Sequence, residues 1–413
     1  MAERALEGLR VVEFTDEIGS YCGRLLADLG AAVIKIEPPG GGRQRHTPPF
    51  IASLGESVDS SLAFWVHNTS KKSVVLDLDF GPDLENARRL CLSADVVLED
   101  YPVGYLSGRG LGFEALRGFK PSLVYTSVTG FGQTGPHSNY AYSDIVGQAM
   151  GGIMTLAGEM ADPPNMIYGN QANISASIHA AQGTLIAVLH ADATGEGQLV
   201  DVSAQEALSM SQETAMQMWD LQKRNRMRTG ELGMLPLRLP GTGVVKCSDG
   251  GYALLFVLAP AGKDMPDLIN WMREAGMSED LDQEPYASVC NELNMALLTR
   301  AMTDPSVAAE VIPSLGHIQE VIERFFATMT AREAYEGGQT RQLLVGVVST
   351  PRDLAENRQL RARSWFVDIA VDGGHVEFPG GPYRLSETPV QIGRPPRLGE
   401  HTAEVLAPLK LGE

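Results

Sequence analysis

The amino-acid sequence predicts an α/β fold with a parallel sheet covered by helices on both faces. Two stretches of the N-terminal half each show the order strand, helix, strand, and a further strand follows them. The chain has 413 residues, of which 44% are hydrophobic, and this is enough for one large domain or two ordinary ones. Parallel strands need such crossover helices, so this order favours a parallel sheet.

The individual elements follow from short apolar runs bounded by glycine or polar residues. The first predicted helix ends at Gly30, where a glycine favours the end of a helix. Two later segments, residues 145–156 and 174–190, are rich in alanine, glycine and small polar residues and are predicted to be closely packed helices. Strands are predicted over residues 9–14, 32–37, 73–78, 95–99 and 123–128, and helices over residues 24–30 and 84–93.

The pattern changes near residue 226, which predicts a second, smaller domain over residues 226–330. This stretch begins with a loop rich in proline and glycine and continues with predicted strands at 244–247 and 252–257, followed by helices. Residues 331–413 return to strand and turn character and end in a predicted helix. The boundaries are therefore 1–225, 226–330 and 331–413.

Charge and cysteine content exclude several classes of protein. The formal net charge is −18, and nucleic acids or anionic membranes need basic patches, so neither is expected as a partner. The cysteines Cys22, Cys91, Cys247 and Cys290 form no CxxC pair, and we expect no disulfide and no metal site. There is no signal-peptide core and no run of about 18 apolar residues, so we expect a cytoplasmic protein with no membrane span.

A glycine motif after the last predicted strand suggests a cofactor site at first sight. Residues 130–135 match GxGxxG, but a dinucleotide site needs a helix to begin there, and Pro136 opens a stretch typical of a loop. We therefore interpret the motif as a tight turn and expect no nicotinamide or flavin. The GxSxG motif of hydrolases is absent, and the histidines lack the spacing of metal ligands.

Several motifs occur in an order that is specific as a set, although each alone is weak. Together they resemble the family III coenzyme A transferases, the group that includes formyl-CoA transferase, carnitine-CoA transferase and methylacyl-CoA racemase. The resemblance implies an α/β fold with a Rossmann-like large domain built from both ends of the chain, a smaller α+β domain, and an interlocked dimer of two ring-like chains. The matching segments are residues 6–14, 21–37, 68–78, 94–101, 110–113, 130–136, 142–148, 385–389 and 398–402.

The family's nucleophile is missing from the segment that resembles its active site. In the family an Asp attacks the acyl-CoA thioester and forms an acyl-enzyme anhydride. Residues 163–191 contain no Asp or Glu, and the equivalent position holds Asn173, or Ala172 if the alignment shifts by one. A neutral amide cannot act as that nucleophile, so we expect no catalytic residue in this chain. Ser143 stands where the racemases have a His, which argues against racemase activity.

The resemblance also indicates which residues would bind coenzyme A or an acyl-CoA. Asp79 stands where a Lys is common, and an acid there would repel phosphates. The residues that correspond to the family's CoA cleft are Leu76, Leu78, Tyr101, Arg109, Gly130 and Phe131.

These features lead to one main hypothesis and two alternatives. The main hypothesis is a non-catalytic subunit of a heteromeric family III CoA-transferase, whose paralogous partner carries the Asp. The two-subunit branch of the family transfers CoA from succinyl-CoA to benzylsuccinate in anaerobic toluene breakdown, which suggests an arylsuccinate as acceptor. One alternative is a homodimeric enzyme that uses Asp16, Glu17, Asp144 or Glu159. The other is a CoA-thioester binding or regulatory protein.

Overall fold

The computed structural model describes residues 4–230, 238–257, 264–371 and 374–410, which form two compact units. The first unit comprises Met1–Met154, Met166–Lys223 and Arg358–Glu413, and the second comprises Thr155–Asn165 and Arg224–Asn357. The second unit thus extends beyond the predicted boundary at residue 330. The reason is that the helix and strand after this point pack on the sheet of the second unit.

Strands occupy both ends and the middle of the chain. The predicted strand over residues 32–37 is confirmed with the same bounds, whereas the sixth strand was not predicted. Within the described ranges the strands are β1 (Arg10–Phe14), β2 (Ala32–Glu37), β3 (Lys72–Val75), β4 (Val96–Glu99), β5 (Val124–Thr129), β6 (Leu199–Ser203), β7 (Thr242–Lys246), β8 (Tyr252–Phe256), β9 (Val345–Val347), β10 (Phe366–Val371) and β11 (Gly374–Pro379).

Helices connect the strands of the parallel sheet, whereas β7 and β8, and β10 and β11, follow each other directly. The helices in the same ranges are α1 (Ser20–Asp28), α2 (Leu62–His67), α3 (Gly81–Ser93), α4 (Phe113–Arg117), α5 (Asp144–Met150), α6 (Ile153–Leu156), α7 (Gln171–Thr194), α8 (Ala204–Ser209), α9 (Ala215–Gln222), α10 (Asp264–Glu274), α11 (Tyr286–Glu292), α12 (Met295–Thr303), α13 (Pro305–Phe326), α14 (Ala331–Thr340), α15 (Pro351–Ala355), α16 (Arg358–Ala362) and α17 (Thr402–Lys410).

The first unit is built on a parallel six-stranded sheet with the order β3-β2-β1-β4-β5-β6, which confirms the predicted α/β fold. This is the strand order of Rossmann folds. Successive residues of β1 face opposite sides, so Val11 packs with α1 and α7, and Val12 packs with α3. The strand order reverses between β1 and β4, since β2 and β3 follow on one side of β1 and β4 to β6 lie on the other, and ligands bind at such a switch point in open α/β sheets.

Helix α7 packs closely on this sheet through small side chains. Ala172, Ala176 and Ala180 recur every four residues and are fully buried, so the helix presents a narrow face of alanine to β5 and α1. By length and apolar composition alone, this is the one helix of the described residues that could cross a membrane. Its alanine face belongs to the core of the first unit.

The second unit has a core of its own. An antiparallel sheet with the order β7-β8-β9 packs with helices α10 to α14, and α14 contacts both β8 and β9. Leu268, Ile318 and Phe326 are fully buried at its centre. In the first unit the chain end returns as the hairpin β10–β11 and as α17, which contacts β3 and α3.

Candidate active site

A cavity of about 470 Å³ lies at the switch point of the parallel sheet. Its walls come from the segments that follow β1, β4 and β5, because the carboxyl ends of parallel strands meet at one edge of a sheet. The structure therefore places the candidate site where the strand order alone predicts one. The cavity is lined by Asp16, Glu17, Ile18, Arg43, Asp100, Tyr101, Pro102, Val103, Thr129, Gly130, Phe131, Ser138, Asn139, Tyr140, Ala141 and Tyr142.

Asp100 fixes the loop between β1 and α1. Its carboxylate accepts hydrogen bonds from the backbone N–H groups of Asp16, Glu17 and Gly19, at 2.9 to 3.0 Å. Burial raises the pKa of the Asp100 carboxyl to about 6, although these amides and the Lys35 ammonium act in the opposite direction. A carboxylate at the end of β4 therefore shapes one wall of the cavity.

The two acids of the same loop are held by their own partners. The Asp16 carboxylate accepts hydrogen bonds from the backbone N–H groups of Arg43 at 2.8 Å and Gln44 at 3.3 Å. Glu17 forms an exposed ion pair with the Arg43 guanidinium at 3.3 Å. Asp16, Glu17 and Asp100 together give the cavity three carboxylates against the single cation of Arg43.

The opposite wall depends on a close approach between Gly130 and Tyr142. A Cβ atom on Gly130 would lie 2.2 Å from Cδ2 of Tyr142, so only glycine fits under the ring. Phe131 meets the same ring edge-on, with centroids 5.8 Å apart. The backbone from residue 130 to 143 is a loop, and α5 begins only at Asp144, so the GxGxxG motif is a turn as predicted.

Asn173 lies behind Tyr142 in the first turn of α7. Its amide oxygen Oδ1 accepts a hydrogen bond from the Tyr142 hydroxyl at 3.0 Å, and only 6% of the residue is exposed. The backbone N–H of Asn173 donates to Asp144 Oδ1 at 3.0 Å. Burial and the nearby carboxylates of Asp144 and Glu17 raise the pKa of Tyr142, so its hydroxyl stays protonated and acts as donor.

Asp144 satisfies the start of α7 and is itself held in place. An acid is favourable there because the first N–H groups of a helix lack partners within it and carry partial positive charge. The second carboxylate oxygen of Asp144 accepts from Gln148 Nε2 at 2.8 Å. Gln148 also bonds both the N–H and the carbonyl of Ile167, at 2.9 and 3.0 Å, and so fixes the segment that leads into α7.

Ala172, the other candidate position, has no polar group to offer. Ala172 is fully buried, and a Cβ atom added to Gly147 of α5 would lie 2.7 Å from the Cβ of Ala172. It therefore packs against α5 rather than facing Tyr142. Within this turn of α7, Asn173 is the residue whose side chain contacts a wall of the cavity.

The structure brings together three of the six residues expected to bind CoA. Tyr101, Gly130 and Phe131 line the cavity. Leu76 is a core residue with 2% exposure, and Leu78 packs beside the same core. These two leucines do not reach the cavity wall.

Arg109 is engaged by other groups of the first unit. Its guanidinium forms an ion pair with Asp79 at 2.6 Å and lies 3.9 Å above the ring of Tyr105. Tyr105 stacks in turn on Tyr101, with centroids 4.7 Å apart. Among the six residues expected to bind CoA, Arg109 is the only cation, and Asp79 neutralises its charge.

A buried charge cluster lies at the base of the β1–α1 loop. Glu13 Oε1 accepts from Lys71 at 2.8 Å and from Lys35 at 3.2 Å, and all three side chains are almost fully buried. Lys35 also donates to the carbonyl of Thr15, which fixes the start of the loop. Burial lowers the pKa of Lys71 to about 8.

The remaining candidate groups lie elsewhere. Glu159 belongs to the second unit, where the Arg228 guanidinium donates to its backbone carbonyl at 2.8 Å. Across the described ranges, no group of three or more His, Cys, Asp or Glu side chains is arranged to hold a metal ion. All four cysteines are buried and free.

The site therefore combines a cavity at the switch point with an amide where an acyl-transfer nucleophile was expected. Asn173, Tyr101, Gly130 and Phe131 were predictable from the sequence, whereas the roles of Asp100 and Tyr142 were not. Both residues stand in matching segments, 94–101 and 142–148. Their roles have no local signature, because Asp100 bonds backbone groups up to 84 residues away and Tyr142 bonds a side chain 31 residues away.

Comparison with known proteins agrees with the resemblance seen in the sequence. A protein similar over its length is the succinyl-CoA:(R)-benzylsuccinate CoA-transferase subunit BbsE of Thauera aromatica, 36% identical over 96% of this chain and 92% of the relative. The succinate–glutarate CoA-transferase of Agrobacterium fabrum is 30% identical over 98% of this chain and 96% of the relative.

A solved structure with the same fold is that of a CaiB/BaiF family protein from Brucella suis. It aligns with a TM-score of 0.84 and 28% identity, over 98% of this chain and 100% of its own. The sequence model of CoA-transferase family III matches residues 6–402. Fold and sequence agree, and the chain belongs to CoA-transferase family III.

Proposed function

We propose that this chain is the non-catalytic subunit of a heteromeric, cytoplasmic CoA-transferase, interlocked with a paralogous subunit that carries the nucleophilic Asp. The observation that carries the proposal is the amide of Asn173, held behind the cavity by Tyr142 at 3.0 Å. An amide has no ionised oxygen to attack a thioester and to leave again as a carboxylate. The assembly would transfer CoA from an acyl-CoA such as succinyl-CoA to a carboxylic acid such as an arylsuccinate.

The similarity to BbsE supports a two-subunit enzyme, because that relative is named as one subunit of a CoA-transferase. A benzylsuccinate-like acceptor, and with it a role in anaerobic toluene breakdown, follows by analogy only with this relative. In this chain Tyr101, Gly130 and Phe131 would contact the part of a CoA thioester that enters the cavity. Leu76, Leu78 and Arg109 would have at most an indirect role.

The structure also bears on the acids that a homodimeric enzyme would need. Asp16 accepts two backbone N–H groups, Asp144 holds the start of α7, and Glu17 pairs with Arg43. A nucleophile must be able to leave such partners and approach the thioester carbon. The exposed pair of Glu17 is weak, but Asp16 and Asp144 are fixed by backbone N–H groups, and their fixed carboxylates favour the heteromeric assembly over the homodimeric enzyme.

The test is to trap the acyl-enzyme in the purified complex. The chain is co-expressed with its paralogue, and the complex reacts with succinyl-CoA in the presence of hydroxylamine, which converts an acyl-enzyme carboxyl into a hydroxamate. Mass spectrometry of both subunits should find the modification on the partner alone. A complex whose partner lacks its Asp is the control and should remain unmodified. A hydroxamate on this chain would show that one of its own carboxylates is acylated, as the alternative of a homodimeric enzyme requires, and the proposal would be wrong.

A further inference from the structure

We propose that Asp100 determines the ligand specificity of the cavity by excluding anionic groups from the β1–α1 loop. The inference rests on the proposed function only in taking the cavity as the ligand site. It deepens that function, because it implies that an uncharged segment of the ligand, such as the pantetheine arm and thioester of an acyl-CoA, enters the cavity. The phosphates of the same molecule would remain outside.

The argument begins with the backbone N–H groups of Asp16, Glu17 and Gly19. They converge on one oxygen of Asp100, at 2.9 to 3.0 Å. Converging amides next to the start of a helix are a common binding site for phosphate or carboxylate groups. Here the amides precede α1, and the chain's own carboxylate already satisfies them.

The charges around the cavity act in the same direction. Asp16 and Glu17 lie on the loop and line the cavity, and Glu99, the last residue of β4, directly precedes Asp100. The cation that lines the cavity, Arg43, is paired with Glu17 at 3.3 Å. Lys35 of β2 acts on Asp100, but its ammonium group is bound to Glu13 and to the carbonyl of Thr15. A phosphate would therefore meet occupied amides and an excess of carboxylate, and like charges repel strongly where water is partly excluded.

Several titratable groups face Asp100 and set its charge. Lys35 favours the ionised form, whereas Glu99, Asp16, Glu17 and the ring of Tyr101 surround the carboxyl from β4 and from the loop. Because burial raises the pKa of Asp100 to about 6, the exclusion should be complete at pH 8 and should weaken near pH 5.

The experiment measures sulfate binding to the full-length chain by calorimetry at constant ionic strength, with sulfate as a divalent probe that does not titrate between pH 5 and 8. We compare wild type, Asp100→Ala and Asp95→Ala at pH 8. Asp95 is the matched control, because it accepts the backbone N–H of Arg10 at 2.9 Å at the other end of the same strands. Asp100→Ala should bind sulfate at least about 10-fold more tightly, the factor of one charge-assisted hydrogen bond. Asp95→Ala should behave as wild type.

A second measurement decides the question if Asp100→Ala does not fold. Wild type and Asp100→Asn are titrated with sulfate from pH 8 to pH 5. Wild type should gain more affinity than Asp100→Asn as the pH falls, because Glu99 titrates in both and Asp100 only in wild type. Equal affinities of wild type and Asp100→Ala, or equal pH dependence of wild type and Asp100→Asn, would overturn the inference. Tighter binding of sulfate than of pantetheine by wild type at pH 8 would overturn it too. None of these three results bears on which subunit is acylated, so they leave the proposed function untouched.

Discussion

The hydroxyl of Tyr142 donates a hydrogen bond to the side-chain oxygen of Asn173 at 3.0 Å, and this bond joins the cavity wall to the first turn of α7. Both groups are largely buried. A carboxylate at position 173 could accept the same hydrogen bond from the Tyr142 hydroxyl.

Removing the Tyr142 hydroxyl should destabilise the protein without a catalytic effect. Tyr142→Phe leaves the buried oxygen of Asn173 without its donor, which costs about 1–3 kcal/mol. A double-mutant cycle with Asn173→Ala, followed by thermal unfolding of the purified assembly, measures the coupling. Strictly additive effects of the two changes would show that the bond is not formed.

Gly130 should tolerate no larger residue. In Gly130→Ala the new methyl group would lie 2.2 Å from the Tyr142 ring, and overpacking of this kind costs about 1–3 kcal/mol. Gly81→Ala is the control, because its Cβ would meet no atom within 4 Å and its backbone is compatible with alanine. Equal melting temperatures of the two variants would contradict the close approach.

The buried ion cluster at the base of the β1–α1 loop should be essential for folding. Glu13→Gln leaves the ammonium groups of Lys35 and Lys71 buried without their shared carboxylate, a loss of about 3–5 kcal/mol. Glu85→Gln removes an acid from half-exposed pairs with Arg88 and Arg89 and should cost much less, about 1 kcal/mol or below. Chemical denaturation of both variants checks the contrast, and a mild effect of Glu13→Gln would show that the cluster is hydrated.

Stability should depend on the ionisation of Glu99 between about pH 4.5 and pH 7. Burial raises the pKa of this carboxyl to about 7, so the folded chain binds its proton more tightly than the unfolded chain. The contribution of Glu99 to stability therefore falls as the pH rises from about 4.5 to 7, by up to about 3 kcal/mol. Glu99→Gln should flatten this part of the profile of melting temperature against pH. An unchanged profile would mean that Glu99 titrates at its ordinary value.

The strands of the sheet were predictable because their signal is local. Residues 32–37 form an apolar run that ends at Pro38, and the structure assigns the strand the same bounds. Strand β6 was missed because it lies at the edge of the sheet and alternates between exposed and half-buried residues after Gly195 and Gly197. An edge strand with few buried side chains has little hydrophobic pattern.

The candidate site was only partly predictable, because most of its contacts join residues that are far apart in the sequence. Asn173 stood out because a carboxylate was missing from a recognisable segment. The role of Asp100 depends on the backbone of a loop 84 residues earlier, and the pairing of Arg109 with Asp79 joins positions 30 residues apart. Such contacts are set by tertiary structure, and no spacing rule in the sequence indicates them.

The most direct test of the central claim is the turnover of the complex when Asn173 is replaced by Ala. The chain and its paralogue are purified together, and transfer of CoA from succinyl-CoA to an arylsuccinate is measured under saturating conditions. Because Asn173 takes no part in bond formation, kcat should stay within about 2-fold of wild type, although the melting temperature falls. A loss of about 100-fold or more in a complex that remains folded would show that residue 173 acts in the chemistry, and the account of a non-catalytic subunit would be wrong.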